Sequence, residues 1–122
     1  LMYTPCTAPL IKSITVQKFL KKFLRLYPRF DSMSTINYVK EHLWLNHKPL
    51  NYNPSNSPNT QDLPNIMKLT YGINIISRNR MIAKKNVIGD RPFFYEINDL
   101  ESTDIDNPID FEFAEFLYKQ KH

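Results

Sequence analysis

The sequence predicts an α+β fold: three helices and a β-hairpin, followed by an extra C-terminal helix. Three observations predict it. Val16, Phe19, Leu20, Phe23, Leu26 and Tyr27 form one stripe of helical period. Phe93, Tyr95 and Ile97 alternate with Phe94 and Glu96 at the period of a strand. A second helical stripe follows Pro108. A chain of 122 residues, 42% hydrophobic and 13% aromatic, holds one domain with one modest core and is too apolar to stay disordered.

Taken in order, residues 1–12 read as an extended segment, because Pro5 and Pro9 oppose a helix. The first helix follows, capped by Ser13 or Thr15 and ended by Pro28, with Lys18, Lys21, Lys22 and Arg25 on its solvent side. Ser34 is a cap for a second helix over 35–45 that buries Ile36, Val39 and Leu43, and Pro49 stops it. The Asn-, Ser- and Pro-rich stretch 51–61 reads as a mobile loop. A short third helix is expected over 63–71, with Asp62 as cap, Pro64 in its first turn and Gly72 at its end. Ile73, Ile75, Arg78, Arg80 and Ile82 suggest a strand, and RPFFYEI is the best strand in the chain. The intervening AKKNVIGD, with Gly89 in the turn, makes the pair a hairpin with a basic tip. The last helix opens at Pro108, with Ile109, Phe113, Phe116 and Leu117 on one face and Lys119 and Lys121 in its final turn. The domain is therefore expected over 13–98, with an acidic segment and helix over 99–122.

Composition excludes several classes. With 2 glycines there is no Gly-rich phosphate cradle. A single cysteine, Cys6, excludes an internal disulfide and a cysteine-cluster zinc site, and it fits a reducing compartment. No run approaches the ~18–20 apolar residues that span a bilayer, and residues 1–10 lack the regions of a signal peptide, so no membrane association is expected. Leu1 in place of an initial Met suggests a piece of a longer protein. The net charge of +4 is unevenly spread: 14 Lys and Arg against 4 Asp and Glu through residue 91, then 2 against 8. A basic body attracts polyanions, while an acidic tail can shield it or recruit a basic partner.

The stretch LPNIMKLTYGINIISRNRMIAKKNVIGDRPFFYEI resembles the second half of the winged-helix superfamily, and the resemblance extends over residues 14–98. It implies that the third helix enters the major groove and that the hairpin wing touches backbone or minor groove. Lys68, Arg78, Arg80, Lys84, Lys85 and Arg91 are the candidate nucleic-acid contacts. The presumed recognition helix carries one basic residue, which argues against base-edge readout. In this arrangement the basic row of the first helix falls on a different face. That row (Lys18, Lys21, Lys22, Arg25) and the tail aromatics Phe111, Phe113 and Phe116 are the candidate protein contacts.

Other constellations favour structure over chemistry. His42 and His47 are five apart, whereas zinc pairs on helices favour three or four. Asp90, Glu96, Lys84 and Lys85 suggest a metal-dependent nuclease, but the lysine expected two positions after Glu96 is Asn98. The acids of 99–115 lack the spacing of a calcium loop, and Cys6 has no companion histidine. Tyr71, Phe93, Phe94 and Tyr95 could stack bases; alternation instead assigns Phe93 and Tyr95 to the core and leaves Phe94 outward. Packing of Phe113 and Phe116 on the domain is favoured over a docking role. The leading expectation is a non-enzymatic, nuclear module without cofactor that binds DNA rather than RNA, within a larger transcription or chromatin protein or complex. A protein-interaction module of a multi-subunit assembly is second, and a small metal-dependent nuclease third.

Overall fold

The computed structural model describes residues 1–120. In chain order its elements are β1 (Met2–Tyr3), α1 (Ser13–Leu26), β2 (Ser32–Val39), β3 (Trp44–Leu45), β4 (Lys48–Pro49), β5 (Ile66–Ile76), α2 (Arg78–Lys84), β6 (Pro92–Glu96) and α3 (Pro108–Lys119). Two 3-10 turns, Pro54–Asn56 and Thr60–Asp62, lie between β4 and β5. The fold is α+β, with three helices and a small mixed sheet of order β1-β5-β2-β6. β6 runs parallel to β2, and β1 antiparallel to β5. The chain divides into two compact units, the first comprising Leu1–Asn37 and everything from Leu69 on, the second Tyr38–Lys68.

In the first unit α1 lies on one face of the sheet. Its stripe buries Phe19 and Phe23 against Met33 of β2 and Ile73 and Ile75 of β5, with Phe93 and Tyr95 of β6 half-buried beside them. Phe93 and Tyr95 join this core as the alternation predicts, whereas Phe94, expected outward, is half-buried like its neighbours. Phe19 meets Tyr95 edge to face at 5.4 Å. The helix ends where Tyr27, restricted by Pro28, turns extended. Its N-cap is Lys12, with no side-chain cap bond, rather than Ser13 or Thr15. The buried carboxylate of Glu101 accepts the Lys12 backbone N–H at 2.9 Å instead, and it places negative charge at the positive end of the helix.

Two expected helices are strands. Of residues 35–45, 35–39 belong to β2, which is rich in β-branched and aromatic side chains (Thr35, Ile36, Tyr38, Val39), and Trp44–Leu45 form β3. Its small hydroxyls are interior: Ser32, Ser34 and Thr35 are buried. Thr35 Oγ1 accepts the Ile73 N–H at 3.0 Å and lies 2.8 Å from Thr70 Oγ1. The 63–71 stretch is likewise no helix, because β5 runs through it. Gly72 is no helix stop; it marks a close approach, where a Cβ would sit 2.5 Å from Ile11 Cδ1. Tyr71 just before it takes φ 53°, and Thr35 supplies the acceptor that this kink requires.

The expected basic hairpin is also different. Residues 78–84 form α2, since Ser77 caps them by accepting the Arg80 N–H at 3.3 Å, and Met81, Ala83 and Lys84 are good helix formers. Lys85, in the left-handed region, ends the helix.

The C-terminal helix forms as expected. Pro108 opens α3, and Asn107 and Asp110 make a reciprocal capping box. Its packing face is not the expected one, however. Ala114 is buried and Leu117 half-buried, whereas Ile109, Phe111, Phe113 and Phe116 are 55–70% exposed. Lys121 lies outside the described residues.

In the second unit β3 and β4 form a hairpin whose two loop residues, Asn46 and His47, both have positive φ, as a primed two-residue turn requires. Trp44 Nε1 donates to the Tyr52 hydroxyl at 2.6 Å, and His42 meets Tyr52 edge-on. Asn51 donates to the Glu41 carbonyl and accepts from the Leu43 N–H. The 51–61 stretch is a loop carrying the two 3-10 turns, the first initiated by the Asn53 side chain on Ser55 N.

Candidate nucleic-acid interface

The anchor of the site is Asp31, a buried carboxylate on the residue before β2. It accepts the backbone N–H groups of Asp90 and Arg91, both at 3.0 Å, and the Ser32 hydroxyl at 3.4 Å. Ser32 Oγ in turn accepts the Gly89 N–H at 2.8 Å. The turn from 89 to 91 is thus strapped to the start of β2, beside the parallel pairing of Ser32 with Pro92. Burial alone would raise the Asp31 pKa, but the N–H groups of Arg91 and Asp90, the Arg80 charge and the Ser32 hydroxyl together hold it below the ordinary carboxylate value. Asp31 is therefore an ionised structural group, engaged on both oxygens.

This strap gathers basic side chains. Arg80 and Lys84 are four apart, so α2 presents both on one side, and both pair with the Asp90 carboxylate, Arg80 at 3.3 Å. Arg91 donates from Nη2 to the Pro28 carbonyl at 3.2 Å. Arg29 lies over the Phe30 ring, Phe30 meets Phe93 edge-on at 5.3 Å, and Lys22 of α1 lies over the same Phe93 ring. Lys18, Lys21, Lys22 and Arg25 follow helical spacing, so they form one stripe of α1, and Lys22 fixes that stripe beside β6, a sheet-edge strand. Contacts thus link Lys22 of α1 with the 28–30 turn and β6, and the 90–91 turn with Pro28 and with α2. The embedded carboxylates, Asp31 and Asp90, are both engaged.

Among the candidate contacts, the structure brings together Arg80, Lys84 and Arg91. Lys85 is the exposed residue after α2, and Arg78 is exposed at its start, a turn's face away from Arg80. Lys68 is exposed on β5 within the second unit. Of the α1 row, Lys22 lies at the β6 edge. The sequence does not single out Arg29, Asp31 or Ser32, and it marks Gly89 only as a turn residue. The cations of α1, α2 and the 90–91 turn are legible in the sequence, but the strap that gathers them is not, since it joins residues some sixty positions apart.

Other constellations do not assemble. Asp90 lies in the turn before β6 and Glu96 at its far end, so the strand Pro92–Glu96, about 13 Å long at ~3.3 Å per residue, stands between them and keeps them from sharing one ion. His42 lies 3.0 Å from the Pro58 carbonyl, and His47 sits in the β3–β4 turn. Among the described residues no cluster of three or more His, Cys, Asp or Glu could hold a metal ion. No described helix is long and apolar enough to cross a membrane. The chain matches no protein-family model and no curated protein.

Proposed function

We propose that the first unit is a non-enzymatic module that binds nucleic acid along its phosphate backbone. The observation that carries this is the gathering of Lys22, Arg29, Arg80, Lys84 and Arg91 around β6 and its preceding turn, where Asp31 and Asp90 are already engaged, with Lys18, Lys21 and Arg25 extending the cationic stripe along α1. Duplex DNA in a nuclear assembly is the expected target, read by charge rather than by base edges. The reading does not depend on the winged-helix arrangement: β5 and α2 occupy the stretches that would be its recognition helix and wing. Affinity for a random duplex across a salt series tests it. Log affinity should fall linearly with log salt, with a slope of about −0.9 per phosphate engaged. Lys84→Glu with Lys85→Glu should weaken binding, and Lys21→Ala with Arg25→Ala should flatten the slope by roughly one to two units. Binding weaker than millimolar at low salt, or indifference to both pairs, overturns it.

A second reading, a protein-interaction module in a larger assembly, is favoured by Ile109, Phe111, Phe113 and Phe116, all more than half exposed on α3. Native co-purification should then yield a stoichiometric partner that survives nuclease and is lost with Phe113→Ser and Phe116→Ser. Loss of every partner after nuclease alone refutes it.

A further inference from the structure

Within the basic surface lies a cavity of about 460 Å³, lined by Tyr27, Pro28, Asp31, Arg80, Ala83 and Arg91 among others. That volume falls within the range of small-ligand sites and suits a single nucleotide. Its cationic walls are pre-positioned. Arg91 uses one donor on the Pro28 carbonyl and Arg80 uses one on Asp90, so each guanidinium keeps further N–H groups for an incoming oxyanion. The Asp31 carboxylate at the cavity has both oxygens occupied by backbone N–H groups, so its charge is partly neutralised before any ligand arrives. At the rim Tyr27 packs against Phe23, with ring centroids 5.8 Å apart, and is 52% exposed. It offers an aromatic surface to a cavity that two guanidiniums also line.

We propose that this cavity is a subsite for one unpaired nucleotide, with its phosphate on the Arg80 and Arg91 guanidiniums and its base stacked on Tyr27. The inference rests on the nucleic-acid reading and sharpens it: duplex bases remain stacked on one another, so only a single strand, an end or an unpaired position can fill the cavity. The rest of the basic surface follows backbone of either form.

Two measurements on the full chain test this. In the first, the affinities of a short oligothymidylate and of a random duplex are compared for wild type and Tyr27→Leu at low salt. Loss of one stacked base should weaken single-strand binding by about tenfold and leave duplex binding within about twofold. In the second, thymidine 5′-monophosphate and inorganic phosphate are titrated while the side-chain N–H signals of Arg80 and Arg91 and the ring signals of Tyr27 are followed by NMR. The nucleotide should move all three, and phosphate only the arginines. The subsite is overturned if Tyr27→Leu leaves single-strand affinity unchanged, or if the nucleotide leaves Tyr27 unmoved. If both polymers bind wild type and only these two results fail, the backbone reading stands without the subsite. If neither polymer binds, the backbone reading falls and the mononucleotide titration alone decides the subsite.

Discussion

Replacing Asp31 by Asn removes one charge and one acceptor from the strap on which the basic surface is built. The carboxylate takes the Arg91 N–H on Oδ1 and the Asp90 N–H on Oδ2, each at 3.0 Å. An Asn amide has one acceptor oxygen, so its NH2 group must face one of those donors. A donor left unsatisfied at a buried site costs about 1–3 kcal/mol. The surviving bond also loses its charge assistance, about another 1 kcal/mol. The Arg80 attraction adds little, because that side chain is half exposed. Asp31→Asn should therefore cost roughly 2–4 kcal/mol at neutral pH, read as a lower urea midpoint at unchanged slope. The pH dependence has a definite sign. The folded pKa lies below the ordinary value, so the stabilisation is fully present above the unfolded carboxylate pKa of about 3.9 and is lost as pH falls through the folded value. The gap between wild type and Asp31→Asn should hold steady from about pH 8 to 5 and narrow below about 4. A neutral-pH loss under about 0.5 kcal/mol, or a gap that stays constant into acid, refutes the assignment of Asp31 as the ionised centre of the strap.

Gly89→Ala should act on the same strap, because the added Cβ would overlap the Asp31 carboxylate, 2.6 Å from its Cγ and 2.9 Å from Oδ2. A loss of about 1–3 kcal/mol is expected, and it should not add to that of Asp31→Asn in a double-mutant cycle; strict additivity would show that the two do not share a contact. Phe19→Ala should cost about 3–5 kcal/mol, since its ring is fully buried. Phe116→Ala, on a side chain 57% exposed, should stay within about 0.5 kcal/mol. Equal losses in urea unfolding would contradict the inward face assigned to α3.

How legible the fold was depends on which residues carried the pattern. α1 was readable because Phe19 and Phe23 lie on a stripe bounded by lysines and closed by Pro28. β6 was readable because Phe93 and Tyr95 alternate with residues on the other face. The α+β class followed from these and from the Pro108 helix start. β2 was misread because Ile36, Val39 and Leu43 fall at helical spacing, while Ser34 beside them is a favoured cap residue. What decides the matter is non-local: this strand lies between β5 and β6, and its hydroxyls are buried by partners distant in sequence. The 78–84 stretch was ambiguous in the opposite sense. Arg78, Arg80 and Ile82 fit a period of two, but Ser77 supplies a local cap, and Asp90 rewards the helical pairing of Arg80 with Lys84. The candidate site was half legible for the same reason: its cations stood out, and the strap that collects them did not.

The acidic C-terminal stretch is the polyanion that the chain itself carries alongside its basic side chains. If free, it would be positioned to cover the basic surface in cis. Its segments are instead committed elsewhere. Glu101 holds the Lys12 N–H at 2.9 Å and the Asn98 side chain at 2.9 Å, and the Ile105 N–H reaches the Thr7 carbonyl at 2.9 Å. Asp110 closes the α3 capping box, and Ala114 is buried. Detaching the 98–114 stretch would break several hydrogen bonds worth about 1 kcal/mol each, uncover the start of α1 and leave Glu101 without its partners. The gain from a mobile acidic chain on exposed lysines is small by comparison and is screened by salt. Shielding in cis is therefore the less stable arrangement. The acids and aromatics of α3 thus leave the basic surface of the first unit uncovered, as the proposed nucleic-acid role requires.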